Sequence, residues 1–285
     1  MTQTFPSLVS TDWLADHAGD AAVMVLDASH HLPAAARNAC AEYAAAHIPG
    51  ARFLDLASLV DTTSSVPAAL PRPDQLAERL ASLGAAPGAA IILYDDSAIR
   101  TSARAWFMLS ASGREKVAIL DGGLGKWRAE GRPLESGEPA LTPAAPAALT
   151  RPRGVRSKAD MLANLETRAE QVLDARSADR VYGTGTDPVH GGPNGRIPGA
   201  LNLPYTEVLN PDGTYKSPED LRAAFAGAGV DLARPLVGTC GSGVTASVLL
   251  FALHLIGKAD TALYDGSWSE WGADPATPKA QGPQA

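Results

Sequence analysis

Residues 23–29, VMVLDAS, return as residues 171–177, QVLDARS, and three further blocks recur behind them in the same order. HIPGA (47–51) pairs with RIPGA (196–200), AIILYDD (90–96) with PLVGTCG (235–241), and LDGGLGKW (120–127) with YDGSWSEW (264–271), at offsets of roughly 145 to 149 residues. Four ordered matches make the chain a tandem duplication of one module. Within a copy, short apolar runs such as VMVLDA, AIILYD and VAIL alternate with helical patterns such as PDQLAERLASLG and SARAWFMLSA. That alternation specifies an α/β fold, a mostly parallel sheet flanked by helices. The expected limits are 1–135 for the first copy, a Pro-rich linker over 136–154, and 155–285 for the second copy, with a short flexible tail after Asp274.

At 285 residues the chain is long enough for two cores. Its net charge of −7 and its lack of basic runs argue against nucleic acid and anionic membrane surfaces as partners. No apolar stretch approaches membrane-spanning length. The opening MTQTFPSLVSTDWLADHAGD is acidic where a signal peptide needs a basic and then an apolar region, so the expected location is the cytoplasm. Two cysteines, Cys40 and Cys240, give neither a disulfide framework nor a CxxC, and they form no metal cluster with the scattered histidines. Free thiols in a reducing compartment, with no metal or cofactor, follow from that count.

Duplication permits a comparison inside one sequence. Asp27 and Asp174, Pro49 and Pro198, Gly50 and Gly199, Asp121 and Asp265, Trp127 and Trp271 occur in both copies and read as turn, cap and core residues of the shared fold. Cys240 does not recur: its counterpart is Asp95. An apolar run delivers Cys240 into Gly241, Ser242, Gly243, Val244 and Thr245, just ahead of the helical stretch ASVLLFALHLIG. Such a loop turns backbone N–H groups inward, and the helix adds its positive end, a setting for a sulfur-centred anion. A simple core cysteine would not need glycines around it. A phosphate-transferring Cys-x5-Arg loop needs an arginine six residues on, where this chain has Ala246. The second copy is therefore the catalytic one, and Arg176 and Arg180 are likewise peculiar to it.

The duplicated module, the HIPGA turn, the loop CGSGVTA and the YDGSWSEW block together resemble the two-domain sulfurtransferases of the rhodanese superfamily over nearly the whole chain. The loop CGSGVT is similar to that of the mercaptopyruvate branch, whereas the thiosulfate branch typically carries CRKGVT. The resemblance implies tandem rhodanese-like domains and a ping-pong reaction. Cys240 would take sulfur from a small anionic donor, 3-mercaptopyruvate, and pass it from a persulfide to a thiol acceptor such as thioredoxin or a small dithiol, or to cyanide. Gly241, Gly243, Val244 and Thr245 would hold the persulfide through their N–H groups. By family position Arg180 would clamp the donor carboxylate, with Arg176 a second candidate, while Ser242 and His47 would relay a proton.

This chain departs from the family in two places. Relatives usually carry a second arginine nine residues after the first, where Val189 stands here; the adjacent His190 can donate one hydrogen bond, and Arg196 is a possible substitute. The acid partner of His47 is also unclear, since Glu42 lies five residues before it and Ala36 eleven before it, where some relatives carry Asp. Cys40 is expected to pack a helix. A thiosulfate sulfurtransferase and a non-catalytic sulfur-binding regulatory module are the alternatives, the second disfavoured by the intact cysteine. Cations installed at 241 and 242 are expected to move donor preference toward thiosulfate.

Overall fold

The computed structural model describes residues 5–282. The chain divides into two compact units, one formed by the residues up to Asp61 with Leu70–Pro152 and Pro211–Tyr215, the other by Thr62–Ala69, Arg153–Asn210 and the residues from Lys216 onward. The first unit runs β1 (Leu8–Val9), α1 (Thr11–His17), β2 (Val23–Asp27), α2 (Ala39–Ala45), β3 (Arg52–Phe53), α3 (Pro73–Ser82), β4 (Ala90–Tyr94), α4 (Ser102–Ala111), β5 (Val117–Leu120) and α5 (Gly123–Ala129). The second repeats that order as β6 (Val155–Arg156), α6 (Lys158–Thr167), β7 (Gln171–Asp174), α7 (Ala178–Tyr182), β8 (Leu201–Asn202), α8 (Pro218–Gly227), β9 (Leu236–Thr239), α9 (Val244–Leu255), β10 (Thr261–Tyr264) and α10 (Ser267–Trp271).

Each unit holds one five-stranded sheet, ordered β1-β5-β4-β2-β3 and β6-β10-β9-β7-β8. All eight strand pairs are parallel. The central strands β4 (AIILY) and β9 (LVGT) are buried at every position, as strands covered on both faces must be. Leu14, Val25, Ile92, Leu120 and Trp127 close the core of the first unit, and Met161, Val172, Val237, Tyr264 and Trp271 that of the second. The shared residues have shared tasks. Trp127 and Trp271 each donate Nε1–H to a proline carbonyl, Pro133 and Pro278, at 2.8 Å. In each IPGA turn the glycine is left-handed, Gly50 at φ 72° and Gly199 at φ 79°, which a type II turn requires after proline.

The stretch expected as a linker and the tail expected to be flexible both carry hydrogen bonds. The stretch 136–154 is laid along the first unit as far as Pro152, bonded through Gly137 N–H to Ala44 O (2.8 Å), Ala144 N–H to Ala81 O (2.9 Å) and Thr150 N–H to Ser112 O (3.0 Å). Its prolines remove donors and favour an extended path, so it reads as a linker in sequence while its remaining amides find partners. Residues 275–282 are also fastened, with Thr277 buried and Ala280 paired with Arg196 in a backbone bridge. Among the described residues no helix is long and apolar enough to cross a membrane.

Candidate active site

β9 ends at Thr239, so Cys240 is the first residue beyond the centre of the second sheet, at the carboxyl ends of parallel strands where α/β folds place their sites. Gly243, at φ 77°, caps α9 in the left-handed conformation. The cysteine is only 1% exposed. Its N–H donates to the Ser267 hydroxyl at 3.2 Å, and its carbonyl accepts from Trp268 N–H at 2.9 Å. The N–H groups of Gly241, Ser242, Val244 and Thr245 have no acceptor among the described residues, and neither has the half-buried Ser242 hydroxyl. A set of unmet donors around a cysteine suits developing negative charge on sulfur.

Arg176 is not available to a donor. Its guanidinium, 1% exposed, grips Asp174 (2.7 Å), reaches Asp187 (3.4 Å) and the Gly195 carbonyl (2.7 Å), and lies 4.5 Å over the Trp268 ring. A carboxylate beside a buried guanidinium satisfies it where water cannot, so this arginine braces the site. Arg180 differs: Nε and Nη2 hold Asp187 at 2.8–3.1 Å, while Nη1 has no protein partner among the described residues, and the side chain is 15% exposed. Burial raises the Asp187 pKa, but the Arg180 bonds and the N–H groups of Val189 and His190 outweigh it and hold the carboxyl below its ordinary value.

Asp187 organises the glycine-rich loop 183–195, in which Gly185, Gly191, Gly192 and Gly195 all take positive φ. Val189 is 40% exposed and offers only its backbone, donating N–H to Asp187 Oδ1 at 2.8 Å. The ring of His190 lies on the Cys240 loop: a Cβ added at Gly241 would sit 2.0 Å from its Nε2. That nitrogen is buried without a partner. With the imidazole in this position a side chain at 241 meets it, so the arginine expected to switch donor preference requires His190 to turn away.

The other candidates have partners of their own. Arg196 donates to the Gly282 carbonyl (2.7 Å) and stacks 4.9 Å over Tyr182, which fastens the tail and takes it out of the donor site. His47 belongs to the first unit, fully buried, with Nδ1 on the Tyr43 carbonyl (2.8 Å), its ring stacked on Tyr43, and Nε2 unpartnered. Glu42 does not serve it, being bound to His31 (2.9 Å) and Arg37 (2.8 Å). Cys40 is exposed on α2, not packed as expected. No group of three His, Cys, Asp or Glu side chains able to hold a metal occurs among the described residues.

Three contributors escaped the sequence reading. Ser267 holds the Cys240 N–H from a left-handed backbone at φ 48°, a conformation costing a non-glycine residue about 1–2 kcal/mol. Its counterpart is Gly123, and Trp268 replaces Leu124, so both stood out as differences between copies. Asp187 is the only acidic residue of loop 183–195, but its partners are set by folding.

The family model described as rhodanese-like domain matches residues 10–130 and 157–274. The mouse protein named 3-mercaptopyruvate sulfurtransferase is 40% identical over 275 residues, covering 94% of this chain and 93% of that one. A thiosulfate sulfurtransferase from Cricetulus griseus is 38% identical over 288 residues, covering 98% and 96%. Among solved structures, SseA from Escherichia coli, a 3-mercaptopyruvate sulfotransferase with the rhodanese fold, superposes with a TM-score of 0.84 at 39% identity, covering 93% of this chain and 99% of that one.

Proposed function

This chain belongs to the rhodanese family, and from that premise we propose that it is a sulfurtransferase acting on 3-mercaptopyruvate. The observation that carries the reading is Cys240 at the start of a loop in which the N–H groups of Gly241, Ser242, Val244 and Thr245 lack acceptors among the described residues, with one free edge of Arg180 on the same unit. The Cys240 thiolate attacks the donor sulfur. An S–S bond forms as the C–S bond breaks, and its electron pair passes to carbon, giving the enolate of pyruvate. The enolate takes a proton and leaves as pyruvate; Ser242, whose hydroxyl is unengaged, is the candidate donor. A thiol acceptor such as thioredoxin or a small dithiol, or cyanide, then attacks the outer sulfur, and the S–S electrons return to Cys240.

Donor choice follows from charge. Asp174 and Asp187 offset Arg176 and Arg180, and the loop has no cation, so a dianion such as thiosulfate would lose its hydration without a compensating charge. A monoanionic donor needs no cation beyond the Arg180 edge. Two unpaired cysteines suit a reducing cytoplasm.

Steady-state kinetics with 3-mercaptopyruvate and thiosulfate, each with cyanide and with a dithiol, test the reading. We expect the larger kcat/KM for 3-mercaptopyruvate, and mass spectrometry of donor-treated protein should find one added sulfur on Cys240 and none on Cys40. A larger kcat/KM for thiosulfate would reassign the donor, and sulfur on Cys40 would reassign the nucleophile.

A further inference from the structure

We infer that His190 is a donor-recognition residue of the Cys240 site, its Nε2–H supplying the donor's carboxylate with a hydrogen bond that no side chain on residue 241 can supply. The inference rests on the sulfurtransferase reading and adds to it the group that stands where Val189 offers none.

Three observations converge. The nitrogen leads the ring onto the loop: measured from the Cβ position of Gly241, Nε2 is nearest at 2.0 Å, with Cδ2 at 2.6 Å and Cε1 at 2.7 Å. It is buried and unpartnered, an unfavourable state for a polar group until an acceptor reaches it. The unmet groups of the same loop, the N–H of Gly241 and of Ser242, are donors too, as is the free edge of Arg180, so the ligand that completes them brings acceptors. Burial, with the neighbouring arginines, keeps the imidazole below its ordinary pKa against the opposing pull of Asp187, which favours the neutral ring, a donor at Nε2 in its Nε2–H tautomer.

Its position is fixed from behind. His190 N–H donates to Asp187 Oδ1 at 3.2 Å, and the same carboxylate holds Arg180. One aspartate therefore sets both recognition groups, the arginine edge and the imidazole. Neither adds net charge after pairing, which matches a single carboxylate better than a dianion.

The test combines kinetics on 3-mercaptopyruvate and cyanide with the rate at which iodoacetamide, a neutral reagent needing no donor recognition, alkylates Cys240. His190→Ala should raise KM about tenfold with a smaller effect on kcat and should speed alkylation, because the ring no longer covers the loop. His190→Gln, which keeps an N–H donor, should recover part of the lost KM; a purely space-filling role predicts no such rescue. Gly241→Ala should impair wild type yet add little in the His190→Ala background, where its methyl enters vacant space. Unchanged KM in His190→Ala, or a Gln variant no better than Ala, overturns the recognition role, and additive effects of the two substitutions overturn the contact. If wild type transfers sulfur from neither 3-mercaptopyruvate nor thiosulfate, the sulfurtransferase reading falls and this inference with it; activity with unmoved KM sinks this inference alone.

Discussion

The loop after β4 and the loop after β9 leave the same position in sheets of the same strand order, yet they use their backbone donors in opposite ways. In the first, the Asp95 carboxylate accepts Ser97 N–H (2.9 Å) and Ser102 N–H (2.8 Å), and Asp96 N–H goes to the Ser29 hydroxyl (2.9 Å). The loop supplies its own anion. In the second, cysteine stands at that position, and the N–H groups beside it are left without protein acceptors. The lesson is that an anion cradle persists in both copies, filled permanently by a side chain in one and left open for a reacting sulfur in the other. Burial raises the Asp95 pKa despite those bonds, the cost of keeping a carboxyl where the sister loop keeps a thiol.

The largest effect should come from exchanging the two residues. Cys240→Ser should remove all sulfur transfer with the fold retained, since oxygen cannot carry the persulfide. Adding Asp95→Cys should restore nothing and should destabilise the first unit by roughly 1–3 kcal/mol for each N–H left without its carboxylate. Sulfur transferred by the doubly substituted protein would show the two loops to be equivalent and break the comparison.

A second contrast concerns the aspartate that ends β2 and β7. Asp174 has Arg176 across it, whereas the matching first-copy position is Ser29. Arg176→Ala should cost about 3–5 kcal/mol in denaturant unfolding of the second unit, because it strands buried carboxylates. A loss within 1 kcal/mol would show the cluster to be well hydrated.

Asp27, lacking an arginine, is raised by burial from 3.8 to about 6, against the hydrogen bonds of Ser29 and Tyr94. A carboxyl whose folded pKa lies above its unfolded value contributes stability that is present below pH 3.8 and is lost as pH rises to about 6. The first unit should lose up to about 3 kcal/mol across that window, and Asp27→Asn should flatten the profile. An Asp27 carboxyl signal titrating near pH 4 by NMR would refute this.

The smallest effect separates the arginines themselves. Arg180→Ala should leave stability nearly intact and lower kcat/KM for 3-mercaptopyruvate by about 1.5–3 kcal/mol, roughly ten- to a hundredfold. Unchanged kinetics would remove Arg180 from the donor site.

The duplication, the parallel α/β class and the cysteine loop are legible from residue order alone. Each is written locally: strand runs of four or five apolar residues, the glycine of a type II turn, and a Cys-to-Asp difference between aligned copies need no knowledge of distant contacts. The arginines show where that ends. Arg176 and Arg180 are four residues apart and share Asp187, and only folding buried Arg176 against the Gly195 carbonyl and the Trp268 ring and left Arg180 a free edge. Tertiary structure likewise laid 136–152 along the first unit, grouped Thr62–Ala69 with the second, and set His190 on Gly241. A guanidinium or an imidazole takes its role from the partners and water left around it, and those are fixed by packing between residues that the chain order does not place together.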